Sequence, residues 1–268
     1  MPSAEAFAPC CLTVAGSDSG GNAGVQADLR AFHAYGVHGC TVFTALTAQN
    51  PGGVYGVLDV PPGFVGRQLD AVFGAYAVRA IKTGMFSSAG AAEALAERLG
   101  AMDARPPLVV DPVMVATCGA SLAGDEVKRT ILGRLLPFAA LITPNIPEAE
   151  AICGVAGSQE DLAKRIYETY GTPALVKGGH AAGCGEMADC LCDADGIHVY
   201  SAPAVVNPAS THGTGCSLAA AIAAAMALGM PLRAAVASAK AYVRAAIAAS
   251  HSVGPRAAVL GFAVPAEL

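Results

Sequence analysis

Four apolar runs in this chain end in residue types that do chemistry. Leu12-Thr13-Val14 leads into Ala15-Gly16-Ser17-Asp18-Ser19-Gly20-Gly21, and Leu108-Val109-Val110 leads into Asp111-Pro112. Ala140-Leu141-Ile142 is followed by Thr143-Pro144-Asn145, and Ala174-Leu175-Val176 by Lys177-Gly178-Gly179-His180. In an open parallel sheet the ligand crevice lies outside the carboxyl ends of the strands. A glycine turn, an Asp, an Asn and a Lys delivered to that edge are what a phosphate-and-metal site needs. Ordinary turn chemistry accounts for any one of them; the four together point to a site.

A second glycine loop, Thr211-His212-Gly213-Thr214-Gly215-Cys216, directly precedes an Ala-rich helical stretch. Successive backbone N–H groups in front of a helix N-terminus, with the helix dipole behind them, make an anion site. The loop is not a dinucleotide fingerprint, because Leu218 stands at the third glycine position, and no Gly-Lys-Ser/Thr phosphate loop occurs anywhere in the chain. Cys216 starts the helix, where the dipole is expected to lower a thiol pKa. The other eight cysteines read as small buried hydrophobes. Asp28 shares a helix face with Val25, Leu29 and Phe32. A carboxylate in an apolar stripe needs a partner, either a neighbouring backbone group or a ligand at the loop before it. His180, Cys184, Cys190, Cys192 and His198 are spaced x3, x5, x1 and x5. Those spacings do not match zinc knuckles, and two core cysteines on one strand account for Cys190 and Cys192.

The elements that must hold these groups alternate. Apolar runs predict strands at Cys11–Ala15, Gly39–Thr44, Arg79–Lys82, Leu108–Asp111, Ala139–Thr143, Ala174–Lys177 and Asp189–Cys192. Helical patterns lie near Gly24–Tyr35, Phe64–Ala75, Ala91–Met102, Asp125–Leu136, Ile146–Cys153, Gln159–Tyr170, Cys216–Leu228 and Leu232–Ser250. Such alternation predicts βαβ units and a mostly parallel, doubly wound sheet. The 268 residues suit one α/β domain, with 1–9 and about 251–268 as peripheral tails. At 54% hydrophobic and 14% charged, the chain has apolar surface enough to fold. A net charge of −5 without a basic stripe argues against nucleic acid as a partner. The longest apolar stretch, Leu218 to Met230, is too short to span a membrane. The irregular, odd set of nine cysteines and the absence of a secretory pattern at the start point to a reducing cytoplasm.

With these motifs in hand, the sequence resembles the hydroxymethylpyrimidine/phosphomethylpyrimidine kinase family of thiamine biosynthesis, within the ribokinase superfamily. The likeness rests on residues 12–21 and 23–29, then Thr44-Ala45-Leu46-Thr47-Ala48-Gln49-Asn50, Lys82-Thr83-Gly84-Met85 and Asp111-Pro112-Val113-Met114. It continues through Ile142-Thr143-Pro144-Asn145-Ile146-Pro147-Glu148-Ala149, Lys177-Gly178-Gly179-His180 and Thr211–Cys216, in the family's order.

The resemblance implies a three-layer α/β/α ribokinase-like fold, ATP with Mg2+, and two successive phosphorylations of an aminopyrimidine. It implies a pyrimidine pocket of Gly16, Asp28, Gln49, Met85 and Val113, and a magnesium and phosphate site at Asn145 and Glu148. Lys177 would reach the nucleotide phosphates, and Gly213, Thr214 and Gly215 would form an anion hole. Cys216 would be the base that most relatives supply as Asp, and the chain would form a homodimer. The sequence departs from the family pattern at three places: Asn22, Cys118, and the stretch Asn207-Pro208-Ala209-Ser210. The nearest rival is a pyridoxal kinase of the same fold, against which Gln49 discriminates. A non-catalytic pyrimidine sensor would be expected to lack Cys216, Lys177 or Glu148, and all three are present.

Overall fold

The computed structural model describes residues 7–114, 124–178 and 185–266. Among these residues the chain builds a nine-stranded sheet in the order β3-β2-β1-β4-β5-β6-β7-β8-β9. The strands are β1 (Cys10–Asp18), β2 (His38–Asn50), β3 (Gly53–Asp59), β4 (Ala80–Thr83), β5 (Leu108–Val110), β6 (Ala139–Ile142), β7 (Ala174–Lys177), β8 (Glu186–Asp193) and β9 (Gly196–Pro203). β2, β1, β4, β5, β6 and β7 run parallel, and β3, β8 and β9 are antiparallel at the two edges.

Helices cover both faces, so the parallel strands read as unbroken apolar runs rather than alternating ones. Leu108 and Val110 point to one layer, with Ile81, Ile142 and Val176. That layer holds α2 (Pro62–Ala75), α3 (Ala89–Gly100), α4 (Asp125–Thr130), α5 (Ile146–Cys153) and α6 (Gln159–Tyr170). Val109 points the other way, with Ala80, Leu141 and Leu175, toward α1 (Gly24–Ala34), α7 (Thr214–Ala227) and α8 (Leu232–Ala248). α7 packs on both α1 and α8 as well as on β4 and β5. Its run of buried alanines suits that crowding, because each offers a methyl group and no rotamer entropy to lose.

The sequence pattern misses β3 and β9 and shortens β2. β3 carries Gly56 in its middle and is exposed along most of its length, so it lacks an alternation to find. β9 alternates, but with His, Ser and Ala diluting the signal. β2 runs on to Asn50 and pairs with β3, so Thr44–Asn50 lies within the strand rather than after it. The helix expected over Asp125–Leu136 is α-helical only to Thr130, then widens into a π turn at Ile131–Leu135 and tightens to a 3-10 turn at Leu136–Phe138. The segment after residue 250 does not trail off. It forms a hairpin, β10 (His251–Gly254) with β11 (Ala257–Val259). Leu260 is then buried, and the Gly261 and Ala266 amides donate to the Ala246 and Ala34 carbonyls. Among the described residues no helix is long and apolar enough to cross a membrane.

Candidate active site

The first glycine loop turns on Asp18 at the end of β1. Its carboxylate accepts the amides of Gly20, Asn22 and Ala23 at 2.8–3.0 Å and lies 3.7 Å from His212 Nε2. Burial raises this carboxyl, but hydrogen bonds from His212 and the three amides outweigh it and hold Asp18 below the usual carboxylate range. The chain then enters α1 through Gly24 at φ +56°, where a Cβ would fall 2.3 Å from the Gly16 carbonyl. Gly213, at φ +86°, caps the N-terminus of α7, and a Cβ there would lie 1.8 Å from the carbonyl oxygen of Asn22. The two glycine loops therefore interlock backbone to backbone, and no other residue type fits at that contact.

Lys177, at the end of β7, points its ammonium to Asp111 Oδ1 at 2.9 Å. A carbon placed on Gly215 would lie 3.4 Å from Lys177 Nζ, so the ammonium stands directly before the Gly213–Gly215 loop. Burial alone would lower the Lys177 pKa; Asp111 and Glu148 outweigh it and raise it. Asn145 bridges to Lys177 and caps α5: its side chain accepts from the Glu148 amide, and Glu148 Oε2 accepts from the Asn145 amide, both at 2.8 Å. This reciprocal capping box positions Glu148, and Pro147 sits inside the first turn, where a missing N–H costs nothing. Burial and then Asp111 raise the Glu148 carboxyl above its ordinary value against the pull of Lys177. Lys177 thus lies beside Gly215 and Asn145, with Glu148 close by and Asp111 as its anchor. Asn145 has a defined helix-capping role there.

Cys216 departs from expectation. Its thiol is not lowered by the helix start: burial pushes it up to about 11, helped by the nearby Asp111 and Asp28 carboxylates. Lys82 and a hydrogen bond from the Gly24 amide pull the other way without overcoming burial. Asp28 finds its partner in side chains rather than backbone. Both carboxylate oxygens lie 2.9 Å from Lys82 Nζ, and Thr13 Oγ1 donates to Oδ2 at 2.6 Å. Neither Asp28 nor Lys82 has any exposed side chain.

Among the pyrimidine-pocket residues, Gly16 and Met85 come together. A carbon on Gly16 would lie 3.1 Å from Met85 Cε, and Thr44 Oγ1 fixes the Met85 carbonyl at 2.7 Å. Gln49 is joined to the first loop through two hydroxyls. Ser19 Oγ bonds its backbone N–H and carbonyl, while Thr47 Oγ1 donates to Gln49 Oε1 and to the Ser17 carbonyl. Val113 is half-buried in the turn after β5, its amide on the Asp111 carbonyl. Cys118, His180 and Cys184 lie outside the described residues. Cys190 and Cys192 face the same core layer, and His198 is 3.3 Å from Asp193. Sequence reasoning did not single out Lys82, and it noted Asp111 and Asp18 only as loop residues. The signal for Lys82 was there: a lysine in the run Ala80-Ile81-Lys82 is as anomalous as Asp28 in its apolar stripe, and the two anomalies answer each other.

The match to known proteins is extensive. The family model described as phosphomethylpyrimidine kinase matches residues 18–260. The chain is 43% identical over 257 residues to the hydroxymethylpyrimidine/phosphomethylpyrimidine kinase of Streptomyces coelicolor, covering 94% of each. It is 47% identical over 247 residues to the thiamine biosynthesis bifunctional protein ThiED of Geobacter sulfurreducens, and spans half the length of that relative. In structure it superposes on phosphomethylpyrimidine kinase from Clostridium difficile 630 with a TM-score of 0.76 at 38% identity, covering 87% of this chain and 97% of that one. It superposes on an ADP complex of Bacillus subtilis pyridoxal kinase with a TM-score of 0.87 at 29% identity, covering 96% and 98%.

Proposed function

The chain belongs to the phosphomethylpyrimidine kinase family, and from that premise we propose that it phosphorylates 4-amino-5-hydroxymethyl-2-methylpyrimidine and then the resulting monophosphate, with ATP as donor. The observation that carries this reading is the convergence of Lys177 and the Gly213–Gly215 loop beside Cys216, on the same edge as the Gly16–Met85 contact. Phosphoryl transfer passes through a loose transition state, so the protein's work is to place the reactants and stabilise spreading negative charge. Lys177 and the amides at the start of α7 meet that charge. Cys216 takes the proton of the hydroxymethyl group in the first step. Gly16, Gln49, Met85 and Val113 seat the ring; Asp28, expected among them, is enclosed and paired with Lys82 and Thr13, so it stands behind the pocket rather than against the ligand.

Magnesium would accompany the nucleotide. It takes one or two carboxylates and completes its shell with water and phosphate oxygens. Among the described residues no three Asp, Glu, His or Cys side chains gather as a protein-only metal site. The buried Glu148, held by Asn145, is an oxygen donor of the required hard kind. Bound there, the ion would neutralise charge on the transferring phosphoryl group.

Pyridoxal phosphorylation is the second reading, favoured by the higher structural overlap with the Bacillus enzyme. Against it stand the higher identity to the Clostridium protein and the side-chain amide of Gln49. A homodimer, in a cytoplasmic setting, is also part of the proposal. The β2–β3 ribbon supports it, with Leu46 and Leu58 paired across the strands and both exposed. The test is a substrate panel of the hydroxymethylpyrimidine, its monophosphate and pyridoxal with ATP, read by ADP release. Both pyrimidine steps should proceed faster than pyridoxal; preference for pyridoxal would overturn the assignment.

A further inference from the structure

A buried carboxylate beside a loop that meets an anion needs a reason, because its charge opposes the ligand. Asp18 is such a group, 3% exposed at the end of β1. The reason lies in the donors it collects. An ionised carboxylate offers about four lone-pair sites and carries no proton of its own. Oδ1 of Asp18 accepts from the Gly20 amide at 2.8 Å, and Oδ2 accepts from the Asn22 and Ala23 amides at 3.0 and 2.9 Å. His212 Nε2 faces Oδ2 at 3.7 Å as a fourth neighbour. These contacts run to both sides of Gly213. The Asn22 carbonyl, fixed by the two amides that follow Gly21, bears on Gly213 so closely that a Cβ there would overlap it. His212 is the residue immediately before Gly213. Gly213 in turn caps α7, and its carbonyl accepts from the Ser217 amide and hydroxyl at 2.9 and 2.8 Å. The ring-side contacts of the first loop run elsewhere, from Ser19 to Gln49 and from Gly16 to Met85.

We propose that Asp18 is a positioning residue for phosphoryl transfer: through the Asn22 carbonyl on one side and His212 on the other, it sets the direction of the amides at the start of α7. The proposal rests on the reading of the Gly213–Gly215 loop as the group that meets the transferring phosphoryl. Asp18 touches no reactant. Its charge is taken up by three amides and the imidazole rather than presented to phosphate. In each step the substrate oxygen forms its bond to the γ-phosphorus, and the bond from that phosphorus to the ADP oxygen breaks. In the first step the hydroxyl proton passes to Cys216. Donors stabilise the transferring group only while they are aimed at it. The same loop serves the alcohol and the monophosphate, so misaligning it slows both transfers by the same factor, whereas Cys216 acts on the alcohol alone.

The test is steady-state kinetics of His212→Ala, His212→Gln, Asp18→Asn and the double variant Asp18→Asn/His212→Ala on both pyrimidine substrates, paired with hydrogen–deuterium exchange of residues 211–217 in the full chain. His212→Ala should lower kcat by about 10- to 100-fold in both steps, the scale for a misaligned reacting group, with each pyrimidine KM little changed. His212→Gln keeps an N–H at the same reach and should recover most of the loss. Residues that act through one contact give non-additive losses, so the double variant should be no worse than Asp18→Asn alone. A loss confined to the pyrimidine KM overturns the proposal, by assigning both residues to the ring-side loop. Additive losses overturn it too, as does a His212→Gln no better than His212→Ala. If Asp18→Asn does not fold, the two His212 variants decide by the kcat–KM split and the rescue. Exchange tests the positioning apart from activity: residues 211–217 should exchange faster in His212→Ala and at the native rate in His212→Gln, and unchanged exchange in His212→Ala overturns the proposal. A native chain that turns over neither pyrimidine would instead sink the functional reading and leave the exchange result to decide whether Asp18 and His212 hold the loop.

Discussion

Lys82 and Asp28 meet at 2.9 Å with neither side chain exposed, while Lys177 and Asp111 meet at the same distance with the lysine 13% and the aspartate 2% exposed. Lys82 lies in β4 and Lys177 at the end of β7, with β5 and β6 between them. The first pair is enclosed among α1, β1 and β4, and its ammonium bonds both oxygens of one carboxylate. The second pair opens beside Gly215, where its ammonium faces the loop before α7. Burial separates the two: the Lys82 pair has no exposed side chain, while Lys177 keeps a partly open ammonium. The same kind of ion pair therefore sits in two environments, one closed to solvent and one that solvent can reach.

The strongest way to break this comparison is at the thiol between the pairs. Cys216→Ala should cost about 10²–10⁴-fold in the first phosphorylation, the range for general-base groups, and only a few-fold in the second. A phosphate monoester is largely ionised near pH 7, with a second pKa of about 6, and needs no base. The pH dependence separates the steps as well. With the thiol pushed up to about 11, kcat/KM for the alcohol should climb tenfold per unit from neutral toward that value. For the monophosphate it should level off once the monoester is ionised. Equal losses, or parallel pH profiles, would show that Cys216 holds shape rather than moving a proton.

Lys177→Ala sharpens the contrast from the open side. A partly open ammonium beside Gly215 is placed to act on charge that grows during transfer, so its loss should fall on kcat, by about 10²–10³-fold, with little change in KM for the pyrimidine. Steady-state kinetics at saturating ATP measure this. A normal kcat would remove Lys177 from the site.

How much of this was legible depends on where a residue's signal lies. The parallel strands declare themselves because burial on both faces makes them apolar throughout, as in Leu108–Val110. Glycine loops are visible because only glycine serves at Gly213 and Gly24. β3 was hidden, since an exposed edge strand with Gly56 need not alternate. The Cys216 pKa was misjudged for a related reason: helix position can be read from order along the chain, but burial comes from α1 and β4, distant in sequence. The partner of Asp28 was equally out of reach, because Lys82 is 54 positions away.

Gln49→Met tests whether the ring end of the site is as selective as the phosphate end. The aminopyrimidine offers an amine beside a ring nitrogen, and a side-chain amide can meet both. Thr47 already orients Gln49 by donating to Oε1 at 3.3 Å. An unpaired buried polar group costs about 1–3 kcal/mol, so the variant should lose roughly 10- to 100-fold in hydroxymethylpyrimidine kcat/KM while pyridoxal use holds or improves. A parallel fall in both would make Gln49 a part of the scaffold.

The smallest effect is expected from a third pair, which lies one strand further out. Lys240 of α8 meets Asp189 of β8 at 2.6 Å, and Asp189 also accepts the Gly178 amide at 2.9 Å. Gly178 follows Lys177, and Gln159 pins the same corner by donating to the Val176 and Ala188 carbonyls, each at 3.0 Å. Asp189 therefore sets the direction in which β7 delivers Lys177, and Lys240 steadies Asp189 from α8. Lys240→Met leaves Asp189 with the Gly178 amide and leaves the Gln159 clamp whole. The pair is about a tenth exposed, between the surface and buried cases, so the loss of stability should be about 1–3 kcal/mol, read as a lowered Tm. Activity should change by no more than a few-fold, in KM for ATP before kcat, because Lys177 keeps its own partner in Asp111. A kcat loss approaching that of Lys177→Ala would show that distance from the phosphates does not rank the three pairs, and that the outer pair is part of the same electrostatic unit.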